Sequence, residues 1–163
     1  MKNPQISHTR VHTRVMKCVV ATWTGLFMAG VALAQDAGSE VVGEITTAIG
    51  QGKIIGAVGE RTIARGQRVH AGDKIETADG GHVHIRFVDG GLVSIRPLSR
   101  LLIEQYRNAK GAQLAAIKFK LEEGVIRSVT GQWGEANRDR FRLNTPIAAI
   151  GVKGTDFVVK VQP

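Results

Sequence analysis

From Val41 onward the chain alternates. Residues 82 to 88, His-Val-His-Ile-Arg-Phe-Val, place Val83, Ile85 and Phe87 on one face of an extended segment and His82, His84 and Arg86 on the other. Asp89-Gly90-Gly91 supplies residues that tolerate a tight turn, and Leu92 to Arg96 returns with Val93 and Ile95 inward, so the pair predicts a hairpin. Upstream, Gly72-Asp73-Lys74-Ile75-Glu76-Thr77 reads as a turn entering a short strand, closed by Asp79-Gly80-Gly81. Downstream, Pro97 marks an edge or corner before a strand over Leu101 to Tyr106, and Asn108 to Gly111 is a polar turn. Ile117, Phe119 and Leu121 alternate with Lys118 and Lys120 until Glu122-Glu123-Gly124 breaks into Val125 to Val129. Gly131 to Asp139 is the longest polar stretch, and Phe141 with Leu143 opens the last strands. Apolar residues recur nowhere here at helical spacing. The pattern predicts an all-β protein, a single compact domain of short strands arranged as a β-roll, a sandwich or a short solenoid.

The stretch Ala149 to Val159, AIGVKGTDFVV, invites a structural reading. Pro146 suits a strand entrance, and Ile147 to Ile150 is apolar on both faces, as a buried strand is. Gly151 and Gly154 permit a tight reversal, and the Thr155 hydroxyl is available to a backbone group at the turn. Phe157, Val159 and Val161 then share one face. The expectation is a closing core hairpin, with full burial of Phe157 contributing about 1.5–3 kcal/mol.

The first 34 residues change the picture. Lys2, Arg10, Arg14 and Lys17 form a basic leader, residues 18 to 34 carry no charge, and Ala32-Leu33-Ala34 has small residues where a signal peptidase reads. Residues 1–34 are therefore expected to be a signal peptide, cleaved between Ala34 and Gln35, with the product periplasmic or secreted. A membrane span is the rival, but Thr22, Thr24, Gly25 and Gly30 weaken a short apolar segment. His8-Thr9-Arg10-Val11 is repeated as His12-Thr13-Arg14-Val15 before Met16, which predicts Met16 as the true start. Residues 35–163 form the expected domain. All 14 acidic residues but only 18 of the 22 basic ones lie beyond position 34, so a net charge of +8 falls to +4. That weakens nucleic acid as a partner despite the basic pI. The only cysteine, Cys18, lies in the leader, which excludes disulfide, thiolate-metal and thiol chemistry from the domain.

Candidate chemistry is sparse. Arg86, Arg96, Lys118, Lys120, Arg140 and Arg142 all face outward if the apolar residues face inward. They form either a patch for acidic protein surfaces or anionic lipid, or an ordinary solvated β surface. His82 and His84 share a strand face and are weak zinc or copper candidates, since two imidazoles do not complete a site and His70 is distant. Gly151-Val152-Lys153-Gly154 matches a nucleic-acid-clamping GxxG but joins strands, and Gly50-Gln51-Gly52-Lys53 lacks the spacing and helix of a phosphate loop. Glu122 and Glu123 are neighbours expected on opposite faces, a poor geometry for paired-carboxylate hydrolysis. No enzyme and no cofactor are expected.

Gly72-Asp73-x-Ile75-x-Thr77, Arg86-Phe87-x-Asp89-Gly90, Leu121-x-x-Gly124-Val125, Thr145-Pro146 and Gly154-Thr155-x-Phe157, in that order, resemble the FecR domain, the periplasmic domain of iron-dicitrate transport regulators. The resemblance spans about Gly66 to Val159. It implies an all-β envelope module acting by contact with another protein, an outer-membrane receptor or a membrane signalling protein. It also implies that Gly72, Asp73, Thr77, Asp89, Gly90, Gly124, Pro146, Gly154, Thr155 and Phe157 are signature residues with structural roles. Full regulators of this type add a sigma-factor-binding segment and a membrane span. The few residues before the apolar segment are too short for the former, so the sensing or docking half is expected alone. The alternative is an envelope structural or adhesion component binding anionic glycan or lipid, with peripheral membrane contact.

Overall fold

The computed structural model describes residues 40–108 and 115–162. The expected signal peptide, its cleavage site and the Met16 start lie outside the described residues, as does most of the loop after Asn108. The strands are β1 (Val41–Ile49), β2 (Gly52–Gly56), β3 (Gly59–Thr62), β4 (Arg68–His70), β5 (Lys74–Thr77), β6 (His82–Phe87), β7 (Leu92–Ile95), β8 (Ser99–Arg107), β9 (Ala116–Val129), β10 (Phe141–Asn144), β11 (Ala149–Gly151) and β12 (Asp156–Val161). Between β9 and β10 lie one short helix, α1 (Gln132–Ala136), and a 3-10 turn over Arg138–Arg140. The fold is all-β, as the alternation predicts.

The strands form one curled sheet, a half-barrel whose halves face each other across the core. The 14-residue strand β9 joins the halves. Its first part pairs with β8 and, in parallel, with β10, while its last part pairs with β7 and β12. One half thus holds β3, β2, β5, β8, β10 and β11, and the other holds β4, β1, β6, β7 and β12. Ile54, Ile75, Leu101, Ile103, Phe119, Leu121 and Leu143 of the first pack against Val42, Ile45, Ile85, Val93, Ile95 and Ile126 of the second. Phe87 stacks on Tyr106 across the gap, ring centres 4.1 Å apart.

Gly124 is where β9 turns from one half to the other. It does not break the strand, as the sequence suggests; it bends it, with φ at +91°. A side chain there would strike Ser99, whose Cα lies 2.5 Å from the position a Cβ would take. The close approach has a purpose: the Ser99 hydroxyl accepts the Val125 N–H at 3.0 Å, and the Ser99 N–H donates to the Thr77 hydroxyl at 3.0 Å. Thr77 in turn donates to the Arg96 carbonyl at 2.7 Å. The corner is a knot of backbone groups satisfied by two buried hydroxyls, as a strand changing sheets requires.

The closing stretch differs from expectation. β11 pairs with β10 and β12 pairs with β9, so the two form no hairpin. Val152 to Thr155 instead crosses from one half of the sheet to the other. Neither Gly151 nor Gly154 has positive φ, and among the described residues it is backbone carbonyls, not the Thr155 hydroxyl, that anchor the crossing. The Thr155 carbonyl accepts the Thr130 N–H at 2.7 Å and the Gly154 carbonyl accepts the Thr130 hydroxyl at 3.1 Å. Ile147 is 94% exposed at the tip of a turn, not buried, because Pro146 starts a reversal rather than a strand. Phe157 is half-buried, its ring meeting Phe141 edge-on.

Candidate functional site

The signature residues divide by environment. Asp73 is buried and accepts the His70 N–H and the Arg61 guanidinium, both at 2.9 Å, closing the turn into β5. Gly72 adopts φ +91° and donates its N–H to the Ile103 carbonyl. Asp89, also buried, accepts the Tyr106 hydroxyl at 2.5 Å, the Gly91 N–H at 3.0 Å and the Trp133 N–H at 3.1 Å. It ties the β6–β7 turn, where Gly90 takes φ +86°, to β8 and to the start of α1. Burial, with the Asp89 bond next, pushes the Tyr106 phenol well above its ordinary range. Thr77 and Gly124 belong to the corner knot. By contrast Pro146, Gly154 and Thr155 are exposed.

The six outward cations are outward but do not converge. Lys118, Lys120 and Arg142 lie side by side on the β8–β9–β10 half, where Lys118 pairs in register with Arg142. Arg140 sits in the 3-10 turn that leads into β10. Arg86 and Arg96 belong to β6 and the end of β7 on the other half, so their side of the molecule is different. Acidic residues also interrupt the first group. Glu122 lies 3.1 Å from Lys74 and 3.8 Å from Lys120, Lys53 bridges Glu60 and Glu76, and Arg100 pairs with Glu123 at 2.8 Å. A register shift where Arg100 opposes Glu123 and Leu101 opposes Leu121 brings both Glu122 and Glu123 to these cations, correcting the expectation of opposite faces. Alternation along one strand predicts exposure; it does not report which half of a folded sheet a residue joins.

His82 and His84 lie on one face of β6, beside Ile49 and Thr47 of β1. Among the described residues no group of three histidine, cysteine or carboxylate side chains is placed to hold a metal ion. His70 instead faces Asp73, its Nδ1 3.5 Å from Oδ2.

A different feature stands out on the remaining side of β9. β10 runs along β9 as far as Asn144 opposite Lys120, and β12 arrives from the other end as far as Val161 opposite Gly124. The strands meet head to head and leave a gap along β9 between them. Above the gap opens a groove of about 630 Å³, walled by Thr145–Ile150 on one side and Val159–Gln162 on the other, with Glu122 and Glu123 at its floor. Pro146, Ile147, Ala148, Ile150, Val159 and Val161 make its walls largely apolar, and Ile147 overhangs it fully exposed. The sequence does signal this place, since Thr145-Pro146 belongs to the signature set and leads directly into the apolar run Ile147-Ala148-Ala149-Ile150.

The family model described as FecR protein matches residues 73–163, more than half of the chain. The chain belongs to the FecR family. The match begins at Asp73 rather than Gly66 and takes in the corner, the groove and β12. Membership places this FecR domain among envelope-associated modules. No curated protein matches the chain. A solved structure titled "Cell surface anchoring domain" is 32% identical over 37% of this chain and 82% of its own, with a TM-score of 0.36, too loose a superposition to support a functional reading.

Proposed function

We propose that this FecR domain is an exported, non-catalytic docking module that recognises another protein of the cell envelope, an outer-membrane receptor or a membrane signalling protein, through the groove between Thr145–Ile150 and Val159–Gln162. The observation that carries the reading is Ile147: at 94% exposure the most exposed large apolar side chain among the described residues, and the one beside a largely apolar cleft. An exposed apolar cleft rimmed by charge marks a protein contact. The scattered cations and their acidic neighbours favour this over a polyanion-binding surface. Burying Ile147 in a partner is worth about 1.5–3 kcal/mol, tenfold or more in affinity.

The test is a crosslinking capture from periplasm and solubilised envelope, eluted with salt and then detergent. One specific protein that resists salt and is lost with Ile147→Asp supports the groove. A salt-eluted mixture of lipid or glycan, indifferent to Ile147→Asp, refutes it and favours the structural or adhesion alternative.

A further inference from the structure

β12 is an edge strand, paired with β9 and with no other strand among the described residues. The other strands that end the sheet among the described residues are short. β3 has 4 residues, β4 has 3 and β11 has 3, and Glu60, Arg61 and Arg68 add charge to two of them. Short, charged edges resist pairing with another chain. β12 is unlike them: its 6 residues, Asp-Phe-Val-Val-Lys-Val, pair with β9 in unbroken register, with no bulge and no proline.

The hydrogen-bonding sense of that edge is fixed. The Thr130 N–H donates to the Thr155 carbonyl at 2.7 Å, and Asp156 opposes Val129. In an antiparallel ladder hydrogen-bonded pairs alternate with non-bonded ones. Phe157, Val159 and Val161 therefore turn their backbone groups toward β9, and Asp156, Val158 and Lys160 turn theirs to the open side.

We infer that the occupant of this edge is β12 of a second copy of the chain, paired antiparallel about a two-fold axis at Val158. The open backbone groups of one strand must meet those of the other, which sets Val158 opposite Val158 and Asp156 opposite Lys160 of the second copy. Both charge pairs are then opposite in sign, on the same face, and generated twice by the symmetry. A shift of two residues either way breaks both pairs, so the charges select one register. Arg127 already holds the Asp156 carboxylate with two bonds, 2.6 and 3.0 Å, on the face where the lysine of the second copy arrives. Val158, 63% exposed in the single chain, is covered at the axis, and Phe157 comes to lie opposite Val159 of the second copy. The result is one sheet continuous through two copies.

The test is sedimentation velocity of the purified full chain over a range of concentrations. The wild type is expected to sediment as a dimer. Asp156→Lys sets lysine against lysine and Lys160→Asp sets aspartate against aspartate, so each alone weakens the dimer at least about tenfold. Mixed in equal amounts the two variants restore opposite charges at both contacts and dimerise again, a result that misfolding of either cannot produce. Val158→Pro removes a donor on the open side only, spares the ladder to β9 and yields a folded monomer. A wild type that is monomeric throughout, or variants that stay apart when mixed, overturns the inference. A monomer whose envelope partner is lost with Val158→Pro also overturns it and assigns the edge to that partner. Lys160 also borders the groove, so the groove is judged by Ile147→Asp, which leaves the β12 edge untouched, and the dimer by the mixing of the two charge variants.

Discussion

Gly124→Ala is the substitution that bears hardest on the fold. At φ +91° an L residue with a side chain is strained by about 1–2 kcal/mol. The added methyl group would also lie 2.5 Å from the Ser99 Cα and Cβ and closer still to its hydroxyl, in a site with no free volume. Relieving that overlap displaces β8 from β9, an overpacking cost of about 1–3 kcal/mol. It also breaks the bond from the Val125 N–H to Ser99, worth about 1 kcal/mol. Together these come to about 3–6 kcal/mol, a large part of the roughly 5–15 kcal/mol that holds a domain folded. Urea unfolding followed by tryptophan fluorescence measures the loss directly. Ser99→Ala, which removes the hydroxyl but adds no atom, is expected to lose only about 1–2 kcal/mol. A loss below about 1 kcal/mol for Gly124→Ala refutes the corner as described.

Asp89→Asn replaces a carboxylate that accepts bonds from Tyr106, Gly91 and Trp133 with an amide half unable to do so, and is expected to cost about 2–4 kcal/mol and flatten the near-ultraviolet dichroism of Trp133 and Tyr106. Tyr106 is the only tyrosine, and burial with its Asp89 bond raises its pKa above the ordinary 10.0. The folded chain thus keeps a proton that the unfolded chain releases, so stability is full below about pH 10 and falls as pH rises further. Phenolate absorbance is expected to appear only with alkaline unfolding, and Tyr106→Phe to flatten that arm of the stability curve; ionisation near pH 10 in the intact fold contradicts this. Ile147→Asp is expected to alter stability by less than about 0.5 kcal/mol, read from the same urea curve. Calorimetric titration with zinc is expected to show no saturable heat at His82 and His84.

The faces of the strands were legible because burial writes a period of two into the chain. Val83, Ile85 and Phe87 are buried and His84 and Arg86 exposed along β6, as their alternation requires. The turns at Gly72-Asp73 and Asp89-Gly90 were equally plain, since few other residues supply positive φ beside a carboxylate that accepts backbone N–H groups. What alternation does not encode is which strand lies beside which. Gly124 looks the same in a sequence whether it ends a strand or bends one, and only its contact with Ser99, far away in the chain, decides. The run Ile147 to Ile150 reads as core because it is apolar. Ile147 is exposed because Pro146 starts a reversal between β10 and β11, and which strands flank that reversal is a tertiary fact. The six cations fail to form one patch for the same reason: Arg86 and Lys118 are both outward, yet on different halves of the sheet.

If the groove beneath Ile147 holds an envelope protein, a photocrosslinking amino acid placed at position 147 in cells captures it. Position 96, an exposed site on the other half of the sheet, is the control. One discrete crosslinked envelope protein is expected from position 147 and none from position 96. Equal labelling from both positions, or none from position 147 while the domain is folded and exported, contradicts it.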